Sequence, residues 1–290
     1  MWQETVKIEG PYDFDLALQR QSIDTLNDVD IDKRMIKVPI YEPEAEVATI
    51  QAIGTTDDPI FIIKGNKEQT KEYVIRRIYE IFQWNVTLHR INDHFMQTSL
   101  KKIFEQHHGT PIILDFSPYN CLVKCIIHQQ LNMKFAIQLT QSFVHTYGFE
   151  MDGVWFYPLP EKVAEIPIDE LRKLKFSQRK AEYLIGLSKM IAAGELNLRE
   201  LLNQTDDEIT KTLVKIRGIG PWTAQNFLMF GLGRPNLFPA ADIGIQNAIK
   251  KLFNLEKKPT YEEMENFSKG WHPYLSYASL YLWRSIETAE

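Results

Sequence analysis

Along the first third of the chain, apolar residues alternate with polar ones or run in short blocks. "RMIKVPIY", "EVATIQAIG" and "PIFIIKGN" carry strand periodicity, and the last closes in a Gly-Asn turn. The period then changes. In "KEQTKEYVIRRIYEIFQWN", Val74, Ile75, Ile78, Ile81 and Phe82 form one helical stripe. A second helix is expected in "DHFMQTSLKKIFEQHHG", closed by Gly109. These elements predict a small antiparallel sheet with helices packed on one side.

From about residue 113 strand periodicity almost disappears. Helices are expected near 118–128, from Asn132 to Gly148, and in "LPEKVAEIP", "IDELRKLK" and "SQRKAEYLIGLSKMIAAGEL". Ser177 is the N-cap of the last of these and Gly194 its end. Thr205 and Glu208 stand at capping-box spacing. Four more helices are expected at about 221–231, 243–253, 260–269 and 273–287. There is no internal repeat and no low-complexity linker. The expected fold class is therefore α+β, with a mixed N-terminal domain over 1–112 and a helical domain over 113–290, packed together rather than tethered.

Composition narrows this only slightly. With 44% hydrophobic and 24% charged residues in 290, the chain is not disordered. The net charge of −5 provides no global pull toward nucleic acid, so such a partner requires positive charge gathered on one face. No signal peptide, bilayer-length apolar run or lipidation motif is read in the sequence, which makes a cytoplasmic setting without a membrane partner the expectation. Cys121 and Cys125 share a helical face with His128 nearby. They are expected as buried thiols: a metal site lacks a fourth ligand, and an iron–sulfur cluster takes four cysteines.

The stretch "KIRGIGPWTAQNF" carries the most local information. Ile209, Leu213 and Ile216 lie on one face of the helix before it, and Pro221 suits the first turn of the helix after it. Only Arg217, Gly218, Ile219 and Gly220 lie between, so the two helices form an αα-hairpin. Gly220 is then the N-cap, and the N–H groups around Ile219, Gly220, Trp222 and Thr223 point outward, where an anion is favoured. Without side chains at 218 and 220 a phosphate can approach; a tight turn with glycines chosen for backbone angles alone is the plainer alternative. Between residues 171 and 220 ten basic residues face six acidic ones, a local excess in an acidic chain.

The segment "LVKIRGIGPWTAQNFLMFGLGRPNLFPAADIGIQNAIKKLF" resembles the helix-hairpin-helix DNA glycosylases, and within them the bacterial 3-methyladenine DNA glycosylase II branch. "PYDFDLAL", "FSPYNCLVKCIIHQQLNMKFA", "LKFSQRKAEYLIGLSKMIAAGEL" and "WHPYLSYASLYLW" are similar to other parts of that branch, in the same order. The resemblance covers most of the chain. It implies a sheet-containing N-terminal domain, a helical body split by a cleft, and action on damaged bases flipped out of duplex DNA.

Asp242 reads on its own as a helix N-cap; the resemblance matches it to the catalytic aspartate, and the two roles are compatible. An anion there stabilises the positive charge that builds on the sugar as the base departs. Strand-cleaving relatives carry a lysine where this chain has Trp222, so the resemblance implies water as nucleophile and no Schiff base. Trp222 and Trp283 match pocket aromatics, with Tyr12, Phe14 and Trp271 as expected neighbours. Asn226 replaces a tyrosine and Arg20 a phenylalanine, which makes the pocket more polar and admits oxidised or deaminated purines besides alkylated ones. The wedge that fills the hole in the duplex falls at Gln129, Gln130 or Leu131. The family further implies a monovalent cation on hairpin carbonyls and a monomer. Two alternatives stay open: an oxidised-purine glycosylase with lyase activity, Lys215 being close in sequence, and a damaged-DNA binder without catalysis.

Overall fold

The computed structural model describes residues 1–287. The N-terminal layer is built from β1 (Trp2–Lys7), α1 (Phe14–Gln21), β2 (Asp28–Asp30), β3 (Met35–Ile40), β4 (Glu46–Ala52) and β5 (Ile60–Gly65). The strands form one antiparallel sheet in the order β1-β5-β4-β3-β2. Register is set by side chains. Trp2 pairs with Gly65, and a Cβ at Gly65 would stand 2.5 Å from the Trp2 ring. β1 was absent from the sequence pattern because only Trp2 and Val6 of its six residues are buried.

The helices α2 (Lys71–Ile81), α3 (Leu88–Phe95) and α4 (Lys101–Gln106) cover the sheet. The sequence pattern predicts α3 and α4 as one helix. They are two, because Thr98 competes for the backbone between them: its hydroxyl donates to the Phe95 carbonyl and accepts from the Leu100 N–H.

The remainder comprises α5 (Pro118–His128), α6 (Met133–Tyr147), β6 (Phe149–Met151), β7 (Val154–Phe156), α7 (Pro160–Ala164), α8 (Ile168–Lys173) and α9 (Gln178–Ala192). Then come α10 (Asp206–Leu213), α11 (Pro221–Asn226), α12 (Ile243–Leu252), α13 (Tyr261–Ser268) and α14 (Leu275–Glu287). The β6–β7 hairpin corrects the expectation that strands end before residue 113. Its signal was the Asp152-Gly153 pair, which adopts φ of 51° and 81° and closes a two-residue turn. The helix expected at 221–231 is α-helical only to Asn226; Phe227–Gly231 is a π turn, a widening common beside functional sites.

One apolar core runs from the sheet (Ile36, Ile50, Phe61) through α2 into α12 and α14 (Ile245, Ile249, Tyr281). Two others lie under α5 and α9 (Tyr119, Phe143, Leu184) and under α5, α10 and α11 (Cys121, Ile209, Phe227). Tyr41 joins the sheet to the helices: its oxygen accepts from Asn120 Nδ2 at 2.8 Å and from the Tyr157 N–H at 2.9 Å. No helix among the described residues is long and apolar enough to cross a membrane.

Candidate functional site

The hairpin starts from α10, held by its Thr205–Glu208 capping box. Leu213, Ile216 and Ile219 bury the inner face of the turn, and the Ile219 N–H donates to the Ile216 carbonyl at 3.0 Å. The two glycines differ in function. Gly218 adopts φ of 97°, and a Cβ there would lie 2.2 Å from the Tyr183 ring, so its missing side chain makes room for α9. Gly220 is the N-cap of α11, and a Cβ there would meet nothing within 4 Å. Only the second glycine leaves open space in front of the helix N-terminus.

The other hairpin residues are partly committed. Arg217 pairs with Glu182 at 2.9 Å and lies over the Tyr183 ring. Thr223 is buried, and its hydroxyl accepts from Gln129 at 3.0 Å. The same Gln129 amide donates to the Gly218 carbonyl at 2.8 Å. Gln129 is thereby tied down, Leu131 packs partly buried against the α5–α9 core, and Gln130 stands exposed at the tip with φ of 55°. Lys180, on α9, donates to the Ile127 carbonyl at the end of α5, and desolvation brings its pKa down to about 8.

Asp242 caps α12, its Oδ1 accepting from the Ile245 N–H at 3.1 Å. The two tryptophans singled out in the sequence converge on it. Trp283 Nε1 donates to Oδ1 at 2.9 Å, and Trp222 Nε1 lies 3.4 Å from Oδ2. Asp242, Trp222 and Trp283 are all half-buried, so each keeps some surface open. Phe230, from the π turn, extends this wall: its ring lies 6.0 Å from that of Trp283, and the Arg20 guanidinium lies 5.9 Å from the Phe230 ring centroid. Phe230 was missed in the sequence because its place depends on the π turn, which has no periodic signature.

The remaining expected pocket residues lie elsewhere or face away. Asn226 donates to the Trp222 carbonyl, back along its own helix. Tyr12 is buried in the N-terminal core with its hydroxyl on the Phe82 carbonyl, and Phe14 is buried beside it. Trp271 is buried against Phe238. The structure thus buries Tyr12, Phe14 and Trp271 almost completely, which leaves little of their surface to line a pocket. Cys121 and Cys125 are free, buried thiols. No cluster of His, Cys, Asp or Glu among the described residues could hold a metal ion. An open cavity of about 500 Å³ lies between the sheet and the β6–β7 turn, and neither Asp242 nor its two tryptophans line it. Its Lys37 is already paired with Asp28 and the Asp152 carbonyl, so it offers no comparable chemistry.

Comparison with known proteins gives this arrangement its context. Residues 123–273 match the model of the HhH-GPD superfamily of base excision DNA repair proteins. A Bacillus subtilis protein, YfjP, which carries a provisional DNA-3-methyladenine glycosylase name, is 55% identical over 99% of this chain and 100% of its own length. A second Bacillus subtilis protein, named DNA-3-methyladenine glycosylase, is 34% identical over 74% of this chain and 73% of its own. The solved structure of a 3-methyladenine DNA glycosylase from Archaeoglobus fulgidus superposes with a TM-score of 0.86 at 22% identity, each chain covered in full, and so shares the fold. From the matched family model and these relatives, the chain belongs to the HhH-GPD superfamily of base excision DNA repair proteins.

Proposed function

We propose that the protein is a monofunctional DNA glycosylase that hydrolyses the N-glycosidic bond of alkylated purines, of the 3-methyladenine and 7-methylguanine type, flipped out of duplex DNA. One observation carries this reading: a half-buried carboxylate, placed just after a DNA-binding type of hairpin, is gripped by two half-buried indoles.

The chemistry follows from charge. As the base leaves, the sugar becomes cationic. The Asp242 carboxylate at ~3.5 Å, with an effective dielectric near 20, stabilises that state by about 5 kcal/mol. This amounts to between about three and four orders of magnitude in rate. Asp242 also orients or deprotonates the attacking water. Trp222 has no amine to attack the sugar, so the product is an abasic site. An electron-poor alkylated purine stacks on Trp222, Trp283 and Phe230.

The duplex docks on the amides around Gly220 and on Arg217 and Lys180. Gln130 is the wedge, because Gln129 is held by the hairpin and Leu131 by the core. A monovalent cation on the hairpin carbonyls belongs to the same proposal. The Ile216 and Gly218 carbonyls each accept one hydrogen bond and keep a second lone pair for it. The protein works as a cytoplasmic monomer.

The test is incubation with methylated duplex DNA and identification of the freed bases. Asp242→Asn is expected to abolish release while still binding DNA that carries an abasic-site mimic. Borohydride is expected to trap no covalent complex; a trapped adduct would establish the lyase reading. Unchanged turnover of Asp242→Asn would remove the mechanism, and binding without any base release by the wild type would leave a non-catalytic binder. Affinity is expected to fall with salt as phosphate contacts release counterions.

A further inference from the structure

An ionised carboxylate has about four lone-pair sites on its two oxygens. In Asp242 both sites of Oδ1 are filled, by the Ile245 N–H and by Trp283 Nε1. Oδ2 faces Trp222 Nε1 at 3.4 Å. Among the described residues one site on Oδ2 is left over. Donors on both oxygens, from α11, α12 and α14, also fix the plane of the group.

The approach of Trp283 depends on a residue with no side chain. Gly244 is the second residue of α12, a place where glycine is the poorest helix former after proline. A Cβ there would lie 3.0 Å from Asp242 Oδ1, 3.0 Å from Trp283 Cδ1 and 3.1 Å from Trp283 Nε1. Each of these is tighter than an ordinary carbon contact, so an alanine must push the indole or the carboxylate by a few tenths of an ångström.

We propose that Gly244, Trp283 and Trp222 are positioning residues that clamp Asp242 so that a single lone pair of Oδ2 faces the reacting sugar and water. This rests on the reading of Asp242 as the catalytic carboxylate. It adds that the two indoles act through their N–H groups, besides any stacking of the base, and that Gly244 stands at its position for the space it leaves. No covalent step is involved; the clamp sets which oxygen reacts.

Two variants separate the clamp from a plain aromatic wall. Trp283→Phe keeps the ring face and removes the donor. Gly244→Ala keeps every functional group, favours the helix and displaces the indole. Base release is measured in single and multiple turnover, each variant alone and combined with Asp242→Asn. The indole ¹H–¹⁵N resonance of Trp283 is followed in parallel.

Trp283→Phe is expected to lower kcat by about 10- to 100-fold, the range for a hydrogen bond to a charged group, with KM for DNA little changed. Gly244→Ala is expected to lower kcat by about tenfold with Tm unchanged or higher, and to shift the Trp283 resonance. Neither is expected to add to Asp242→Asn, because both act through it. A Trp283→Phe enzyme with normal kcat and raised KM overturns the clamp, and so does Gly244→Ala with an unmoved resonance and normal kcat. Should Trp283→Phe fail to fold, Gly244→Ala decides alone. If Asp242→Asn itself releases base at the wild-type rate, the catalytic reading fails instead, and the resonance still reports whether the clamp exists.

Discussion

Two aromatic clusters of this molecule have similar composition and opposite destinies. In the N-terminal layer, Phe61 stacks on Trp84 at 4.5 Å and meets Phe14 and Tyr12 edge-on, and all four are buried. The one phenolic hydroxyl there is tied to a backbone carbonyl. Around Asp242, Trp222, Phe230 and Trp283 are half-buried, and the two indole N–H groups are aimed at its carboxylate. The first cluster removes apolar area from water and so stabilises the fold. The second leaves ring surface open and orients an anion. What separates packing from chemistry is therefore what the aromatic residues surround, and how much of their surface remains uncovered.

The sharpest way to test this contrast is to change one residue in each cluster. Asp242→Asn is expected to cut base release by about three orders of magnitude or more. Its Tm is expected to stay close to that of the wild type, since asparagine caps a helix as well as aspartate does. Phe61→Ala is expected to do the reverse. Unfolding in denaturant should show a loss of about 3–5 kcal/mol, with kcat per folded molecule nearly unchanged. A large loss of kcat in folded Phe61→Ala protein would mean that the sheet layer reaches into catalysis.

The two hairpin glycines offer a finer version of the same comparison. Gly218→Ala must place a Cβ into the Tyr183 ring at a positive φ, and a loss of about 3 kcal/mol in stability is expected. Gly220→Ala meets open space, so its stability cost is expected below about 1 kcal/mol, and the change should appear as weaker DNA binding. Equal effects on Tm would refute the division of roles between them.

A further expected effect, read as a change with pH, concerns His128, the last residue of α5. Desolvation, then the charge of Lys124, lowers its pKa to about 4. Asp115, which pairs with Lys124, opposes this, while Lys180 adds to it. The unfolded chain takes up the proton near 6.5 and the folded one only near 4, so stability falls as pH drops through that window. At pH 5 the loss from this group is about 2 kcal/mol. His128→Gln is expected to flatten this part of the acid limb in denaturation curves measured from pH 7 to pH 4.

Much of this was legible in the sequence. The hairpin, the caps at Ser177 and Thr205, and the acid after the loop all depend on neighbours within a few residues, which periodicity and capping chemistry report. The α3–α4 break and β1 were not legible, because one hydroxyl decides the former and too few buried residues mark the latter. The β6–β7 hairpin was legible in principle through Asp152-Gly153 but was masked by the surrounding helices. The burial of Tyr12 and Trp271 was not legible, because a large apolar side chain reads the same in a core and in a pocket. Gly244 could not be found at all: two of the three atoms that crowd its missing Cβ belong to Trp283, 39 positions further along the chain.

Gln129 has one more consequence. By donating at once to the hairpin backbone and to Thr223, it welds the exposed tip at Gln130 to the hairpin turn. In the proposed function, a duplex pressed onto this edge meets a template whose anvil and chisel are tied to each other. On that proposal the bending is left to the nucleic acid, and base pairs weakened by damage are the ones expected to yield first.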